Sequence, residues 1–473
     1  MLTIQIETNE FLQLVSTSSQ SAIPRLGDVT SRNIFHTFKM VNVSGKARIM
    51  RWGRSTFSHS VHVPEFLAEE DFHRLLANKL VEVPDPKRPG ETKRIPLSRW
   101  WLTKKSRVTY DGLIFDADAG DDTDAINLWN GFGVEAKKGD WSYMRGHIEE
   151  VLADGDEKSA DYMIRWIAWG FLNPTKAAEA AMVLMSEAEG TGKGMLGRAL
   201  ATIYGAHGIQ IMRREHLIGK FNGHLGMMGL AFLDVATWGG FKEDEGVLKS
   251  LITEPTVQIE KKGLDAVRLP NPVKIIMATN ADWSVPASAG DRRYAAFRVS
   301  DKYTKNTRYF QRISAEQSAG GLGAMLFELR NMDLGNWHPR DNIPQTEALA
   351  SQKVLSLKPE MKWLAGLLES GTLSRQHLSY PNRVIHQAAF YNDARQSNVG
   401  LRHWTDMQFS DFLKKWGAVP KRSNGAYRDF PPLAEMRAKW LKAYPWYPAF
   451  GATHSEWTTD ANDSKDDGDM DFG

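Results

Sequence analysis

Four short segments in the middle of the chain place residues suited to phosphate chemistry at the ends of apolar runs. The first is Ser186 to Leu196, SEAEGTGKGML, which follows the apolar run AMVLM. A glycine-rich turn opening a helix presents backbone N–H groups and the positive end of the helix dipole to a phosphate. Gly190, Thr191, Gly192, Lys193, Gly194 and Met195 are therefore the candidate nucleotide-binding residues, with Lys193 reaching the β- and γ-phosphates. The fit to the P-loop pattern is incomplete: Glu187 stands where the first glycine belongs, and Gly194 where the magnesium-binding hydroxyl belongs. A glycine-rich turn carrying a surface lysine is the alternative for this segment alone.

The second segment, LAFLDV, ends an apolar run in Asp234, an acid placed to hold a nucleotide-bound Mg²⁺. The next residue is Val235, where a P-loop ATPase commonly carries the glutamate that activates water. The third, VKIIMATN, ends in Asn280, suited to sensing the γ-phosphate or orienting the attacking water. The fourth, GDRRYAAF, supplies Arg292 and Arg293, either of which could complete a neighbour's nucleotide site as an arginine finger. Lys193, Asp234, Asn280, Arg292 and Arg293 are the candidate catalytic residues, and Asp234 is the candidate metal ligand. Between the second and third segments, TVQIEKKGLDAVRLP reads as a hairpin tipped by Lys261 and Lys262, the candidate DNA contacts. For each of these residues in isolation, a solvated surface side chain or an ordinary strand end is the alternative; their order and intervals argue for nucleotide binding.

The elements that must position these residues alternate. AMVLM, GMLGRALATIYG, GLAFLDV, EGVLKSLIT and VKIIMATN read as strand, helix, strand, helix, strand, the pattern of an α/β domain with a parallel sheet. Upstream, SADYMIRWIAWGFLN is a helix whose Trp166 and Trp169 lie three apart, which predicts a buried face. Residues 1–95 form an N-terminal α+β accessory region running into PDPKRPGETKR, which reads as a loop or linker. Residues 96–155 are a tryptophan-rich linker or collar, 156–300 the ATPase core, 301–454 a mainly helical C-terminal domain of possible winged-helix type, and 455–473 an acidic disordered tail.

With 473 residues, 42% of them hydrophobic and 25% charged, the chain has the composition of a multidomain globular protein. The absence of cysteine excludes disulfides, thiolate metal sites and a cysteine nucleophile. The 13 histidines show no paired metal spacing. The N-terminus does not read as a secretory signal and no stretch reaches the length of a membrane span, so a cytoplasmic location is expected.

PLSRWWL, NLWNGFGVE, GTGKGMLGRAL, HLIGKFNGHL, FLDVATWGG, GVLKSLITEPTVQIEKKG, IIMATNADWSVPA, DRRYAAF and PPLAEMRAKW together resemble the helicase part of the phage primase-helicase proteins, a superfamily 3 branch of the AAA+ ATPases. The resemblance runs from about Pro96 to Trp440. It implies an AAA+ P-loop core, a parallel sheet flanked by helices, in a ring homo-oligomer such as a hexamer. That ring translocates on single-stranded or forked DNA and hydrolyses ATP with Mg²⁺ at subunit interfaces. By the same resemblance Gly190 to Lys193 bind phosphates, Asp234 handles Mg²⁺, Asn280 is the sensor, one of Arg292 and Arg293 is the finger, and Lys261 or Lys262 touches DNA. Val235 departs from the pattern, which leaves a slow motor, one rescued by Glu187 or Glu189, or a ring or loader that binds ATP and DNA without hydrolysis. The segment before Pro96 is short for a primase-polymerase domain, so priming is expected from a separate protein; a single-stranded DNA-binding protein is a further expected partner. A sequence-specific initiator would need a recognition helix or endonuclease motif, and neither is legible.

Overall fold

The computed structural model describes residues 26–43, 45–54, 62–120, 123–213, 215–219, 222, 225–234, 242–260, 267–280, 291–373, 378–379, 383–421, 427–451 and 455–459. At the centre is a five-stranded sheet of β1 (Ala181–Met185), β2 (Gly208–Ile211), β3 (Leu230–Asp234), β4 (Lys274–Thr279) and β5 (Tyr294–Arg298). Its order is β2-β3-β4-β1-β5 and every neighbouring pair is parallel. Parallel strands are covered on both faces, which is why these segments read as unbroken apolar runs. Side-chain alternation splits them between two cores. Met182, Leu184, Phe232, Ile276 and Phe297 pack with helices α1 (Ser142–His147), α2 (Glu157–Leu172) and α3 (Lys193–Tyr204). Ala181, Val183, Leu233, Ile275 and Met277 face helix α4 (Lys242–Thr253) through Leu248, Leu251 and Ile252.

Helix α2 starts at Asp156, whose carboxylate accepts from the Ser159 N–H at 2.8 Å, one of the donors a helix start leaves free. Trp166 and Trp169 are buried as their spacing predicts, and the Trp166 indole donates to the Ala180 carbonyl at 2.9 Å just before β1. Lys274, at the start of β4, is fully buried, with Nζ donating to the carbonyls of Pro174, Lys176 and Pro272 at 3.0, 2.6 and 3.2 Å. It ties the turn after α2 to the sheet edge. Two further helices, α5 (Thr307–Glu316) and α6 (Leu322–Arg330), return to the first core through Ile313, Met325 and Leu329.

The N-terminal region is α+β, with a sheet in the order 62–67, 46–54, 39–43, 109–110. The PDPKRPGETKR segment is not a linker. Leu80–Pro84 pairs antiparallel with Thr92–Pro96, leaving only residues 85–91 as the turn. Its charges pair across the hairpin, Arg94 with Glu82 at 3.1 Å and Lys93 with Asp85 at 3.6 Å, so the middle of the segment is the expected loop while its ends join a two-stranded ladder. The helix Leu97–Thr103 that follows brings Trp101 against Phe72 and Phe38 at ring separations of 5.2 and 6.5 Å, so this packing unit continues past Pro96.

The C-terminal region carries helices at Pro359–Ser370, Gln387–Ser397, Asp406–Lys415 and Leu433–Ala443 around one aromatic core that includes Phe390, Phe409 and Trp440. The mainly helical reading omits a small antiparallel sheet, ordered 378–379, 384–386, 427–429, 419–421. Its strands are two or three residues long, too short to show an alternating pattern. The acidic tail beyond residue 459 lies outside the described residues.

Candidate nucleotide site

The sheet order brings the carboxyl ends of β1, β4 and β3 side by side, the edge at which open α/β sheets bind ligands. A cavity of about 560 Å³ opens there, lined among others by Gly190, Gly192, Lys193, Arg198, Asp234 and Asn280. Three of the four segments singled out in the sequence thus meet, although Lys193 and Asn280 are separated by 87 residues.

Gly192, with φ of 93°, is the left-handed residue that turns the chain into α3, and Gly190 is also left-handed at 74°. A side chain at Gly192 would have its Cβ 2.5 Å from His147 Cε1 and 2.7 Å from Phe310 Cε1. Lys193 is the first residue of α3, only 7% exposed, and its Nζ points back under the loop. It donates to Asn280 Oδ1 at 2.6 Å and Thr191 Oγ1 at 3.3 Å, and contacts Ser186 Oγ. All are neutral acceptors, and Lys193 makes no salt bridge among the described residues. A buried cation without a carboxylate is costly. Burial lowers its pKa, opposed by the charges of Asp234 and Glu189. An anion entering the cleft would supply the missing charge.

Asp234, at the end of β3, accepts from Gln210 Nε2 at 3.1 Å and lies 3.9 Å from Arg198 Nη1. Its carboxylate is 41% exposed and faces the cleft. With Gly194 offering no hydroxyl, a magnesium ion here would be held by Asp234, phosphate oxygens and water, a mode suited to that cation. Among the described residues no cluster of three His, Asp or Glu side chains forms a metal cage. The Met195 N–H is committed to the Gly192 carbonyl at 2.9 Å, so Met195 contributes as lining. Glu187 pairs with Arg298 at 3.4 Å, and Glu189 is exposed.

Arg292 and Arg293 are not in this cleft. They precede β5, and Arg293 accepts through its carbonyl from the Ala181 N–H at the first residue of β1. Since β5 runs parallel to β1, the pair sits at the opposite edge of the sheet, roughly 16 Å away at about 3.3 Å per residue. The two arginines differ. Asp291, with a fully buried carboxylate, accepts from the Arg293 N–H at 3.0 Å and pairs with Lys249 at 3.5 Å, whereas Arg292 is exposed. The hairpin strands Thr256–Ile259 and Val267–Pro270 pair antiparallel as expected. Lys261 and Lys262, expected between these strands, and Val235 lie outside the described residues.

The structure adds residues that no motif marks. His147, at the end of α1, is fully buried; its Nε2 is 3.2 Å from the Gly192 carbonyl and its Nδ1 3.1 Å from the Tyr309 hydroxyl. Burial pushes its pKa down to about 4, the bond to Gly192 acting in the opposite direction. Phe310 forms one wall of the cleft. Neither has a sequence signal, because each belongs to a helix distant along the chain from the loop it touches.

Residues 184–293 match a family of unknown function (DUF5906). Over 146 residues the chain is 28% identical to the DNA primase-polymerase of Nitratiruptor phage NrS-1, a match covering 30% of this chain and only 20% of that protein. The solved apo structure of the NrS-1 C-terminal region superposes with a TM-score of 0.54 at 16% identity, covering 88% of this chain and 92% of that one. An A-form apo structure of the same region gives 0.52 at 16%, covering 81% and 85%. The likeness is one of fold, and with the partial sequence match it relates this chain to the phage primase-polymerase. Among the described residues no helix is long and apolar enough to cross a membrane.

Proposed function

We propose that the chain is an ATP-dependent DNA helicase or translocase subunit of the AAA+, superfamily 3 type, acting in phage or mobile-element DNA replication. The observation that carries this reading is the convergence of Lys193, Asp234 and Asn280 at three adjacent strand ends around a glycine-rich helix start. In this account the backbone of Gly190 to Gly194 cradles the phosphates, and Lys193 swings from its neutral acceptors onto the β- and γ-phosphates. Asn280, released from Lys193, orients a water or reports the γ-phosphate; Asp234 holds Mg²⁺. ATP supplies the phosphoanhydride whose cleavage drives movement, and the chain's contribution is positioning and charge.

The opposite-edge position of Arg292 supports a ring, because an arginine there serves a neighbour's cleft and not its own. Between the two, the exposed Arg292 is the finger and Arg293, held by Asp291, supports the strand end. Lys261 and Lys262 grip single-stranded DNA at the hairpin tip. Relatedness to a primase-polymerase supports the replication setting. Val235 supports a second reading, a ring or loader that binds ATP and DNA as a scaffold without hydrolysis.

The test is nucleotide binding by the purified chain followed by ATP turnover with and without single-stranded DNA. Binding with DNA-stimulated turnover supports the motor, and binding without turnover supports the scaffold. Absence of nucleotide binding rejects both.

A further inference from the structure

The imidazole of His147 touches the glycine-rich loop at Gly192 without lining the cleft itself. Which proton it carries follows from its partners. The Gly192 carbonyl can only accept, so Nε2 at 3.2 Å is the N–H nitrogen. Nδ1 is then a lone pair, and it accepts from the Tyr309 hydroxyl at 3.1 Å. Tyr309 is itself fixed: its ring stacks on Tyr303 at 4.0 Å and 8°, and the Tyr303 hydroxyl donates to Glu150 Oε2 at 3.2 Å. The Gly192 carbonyl also accepts from the Met195 N–H at 2.9 Å, so its two lone pairs are both used.

A trans peptide points its C=O and N–H in opposite directions. Holding the Gly192 carbonyl toward His147 therefore aims the N–H of the same peptide, that of Lys193, away from the histidine. Gly192 has no slack for a different turn, since its left-handed backbone already sits against the imidazole and Phe310.

We propose that His147 is a positioning residue of the nucleotide site: as the neutral Nε2–H tautomer, fixed by Tyr309, it sets the Gly192–Lys193 peptide so that its N–H faces the phosphates of a nucleoside triphosphate. The assignment rests on reading the cleft as a triphosphate site. It places part of the binding energy outside the loop, on α1 and α5, and makes the Tyr309 hydroxyl a determinant of nucleotide affinity although it touches no ligand.

The test uses the full chain with ¹⁵N-labelled histidine and a fluorescent ATP analogue. In the wild type at neutral pH, the His147 signals show the Nε2–H tautomer and shift on adding the analogue. His147→Ala weakens analogue binding roughly three- to tenfold, the loss of one hydrogen bond to a constrained loop. His147→Gln, which can still donate, recovers most of the affinity, and Tyr309→Phe lets the tautomers mix and weakens binding severalfold. Wild-type binding in His147→Ala, or an Nδ1–H tautomer in the wild type, overturns the proposal while leaving the nucleotide reading intact. A wild-type chain that binds no analogue overturns the nucleotide reading and this role with it.

Discussion

Lowering the pH from 7 to 5 is predicted to destabilise the core sharply, through two buried histidines. His147 and His207 are both held neutral, burial pushing each down to about 4, with a backbone carbonyl, Gly192 or Met227, acting the other way. In the unfolded chain both titrate near 6.5. The folded values are the lower ones, so the neutral forms contribute stability that is complete above about pH 6.5 and is lost as pH falls toward 4. A gap of about 2.5 units corresponds to about 3.4 kcal/mol per histidine at its limit, of which about 1.8 has gone at pH 5 relative to pH 7. The pair therefore removes about 4 kcal/mol over that interval, a large part of a typical domain's margin. His207 makes the effect readable because its ring stacks on Trp129 at 4.6 Å and accepts from the Asn130 N–H at 3.2 Å. Urea midpoints followed by tryptophan fluorescence at pH 7, 6 and 5, for wild type and for His207→Gln, isolate its share. The variant should be less stable at pH 7 and lose roughly half as much stability on acidification. A midpoint that is flat between pH 7 and 5, or an identical slope in His207→Gln, refutes the reasoning.

Other perturbations follow from the same geometry. Gly192→Ala forces a Cβ into His147 and Phe310 at a left-handed position, a strain of about 2–4 kcal/mol, so its thermal midpoint falls and nucleotide binding is lost. Lys274→Met removes the donor from three carbonyls, two of them in buried bonds, and should cost about 3 kcal/mol in denaturant unfolding, with no change in nucleotide affinity in the folded fraction. Arg292→Ala should leave nucleotide binding intact and reduce turnover by a factor on the order of 10³, the scale of a lost arginine finger. Mixing Arg292→Ala with Lys193→Ala subunits should restore some turnover at hybrid interfaces; none would place the arginine's action elsewhere.

Much of the site was legible because each part ends a local pattern. Lys193, Asp234 and Asn280 each follow an apolar run, and such runs are strands buried on both faces. Strand order was not legible, since the pairing of β1 with β4 joins segments about ninety residues apart and leaves no local trace. For the same reason no local pattern marks His147: its partners Gly192 and Tyr309 lie 45 and 162 residues downstream. The arginines could not be told apart by type. The buried Asp291 carboxylate that engages Arg293 separates them. At the N-terminal hairpin the composition of PDPKRPGETKR hides the strand at its end, because nothing local shows that Lys93 and Arg94 lie opposite Val83 and Glu82.

The central claim is best tested by ATP binding and turnover in the wild type, Lys193→Ala and Val235→Glu, each with and without single-stranded DNA. The account predicts saturable binding in the wild type, weakened at least about tenfold in Lys193→Ala by loss of charge-assisted phosphate contacts, and turnover stimulated by DNA. Turnover appearing only in Val235→Glu would identify a nucleotide-binding scaffold. A wild-type chain that neither binds nor hydrolyses ATP would contradict the account.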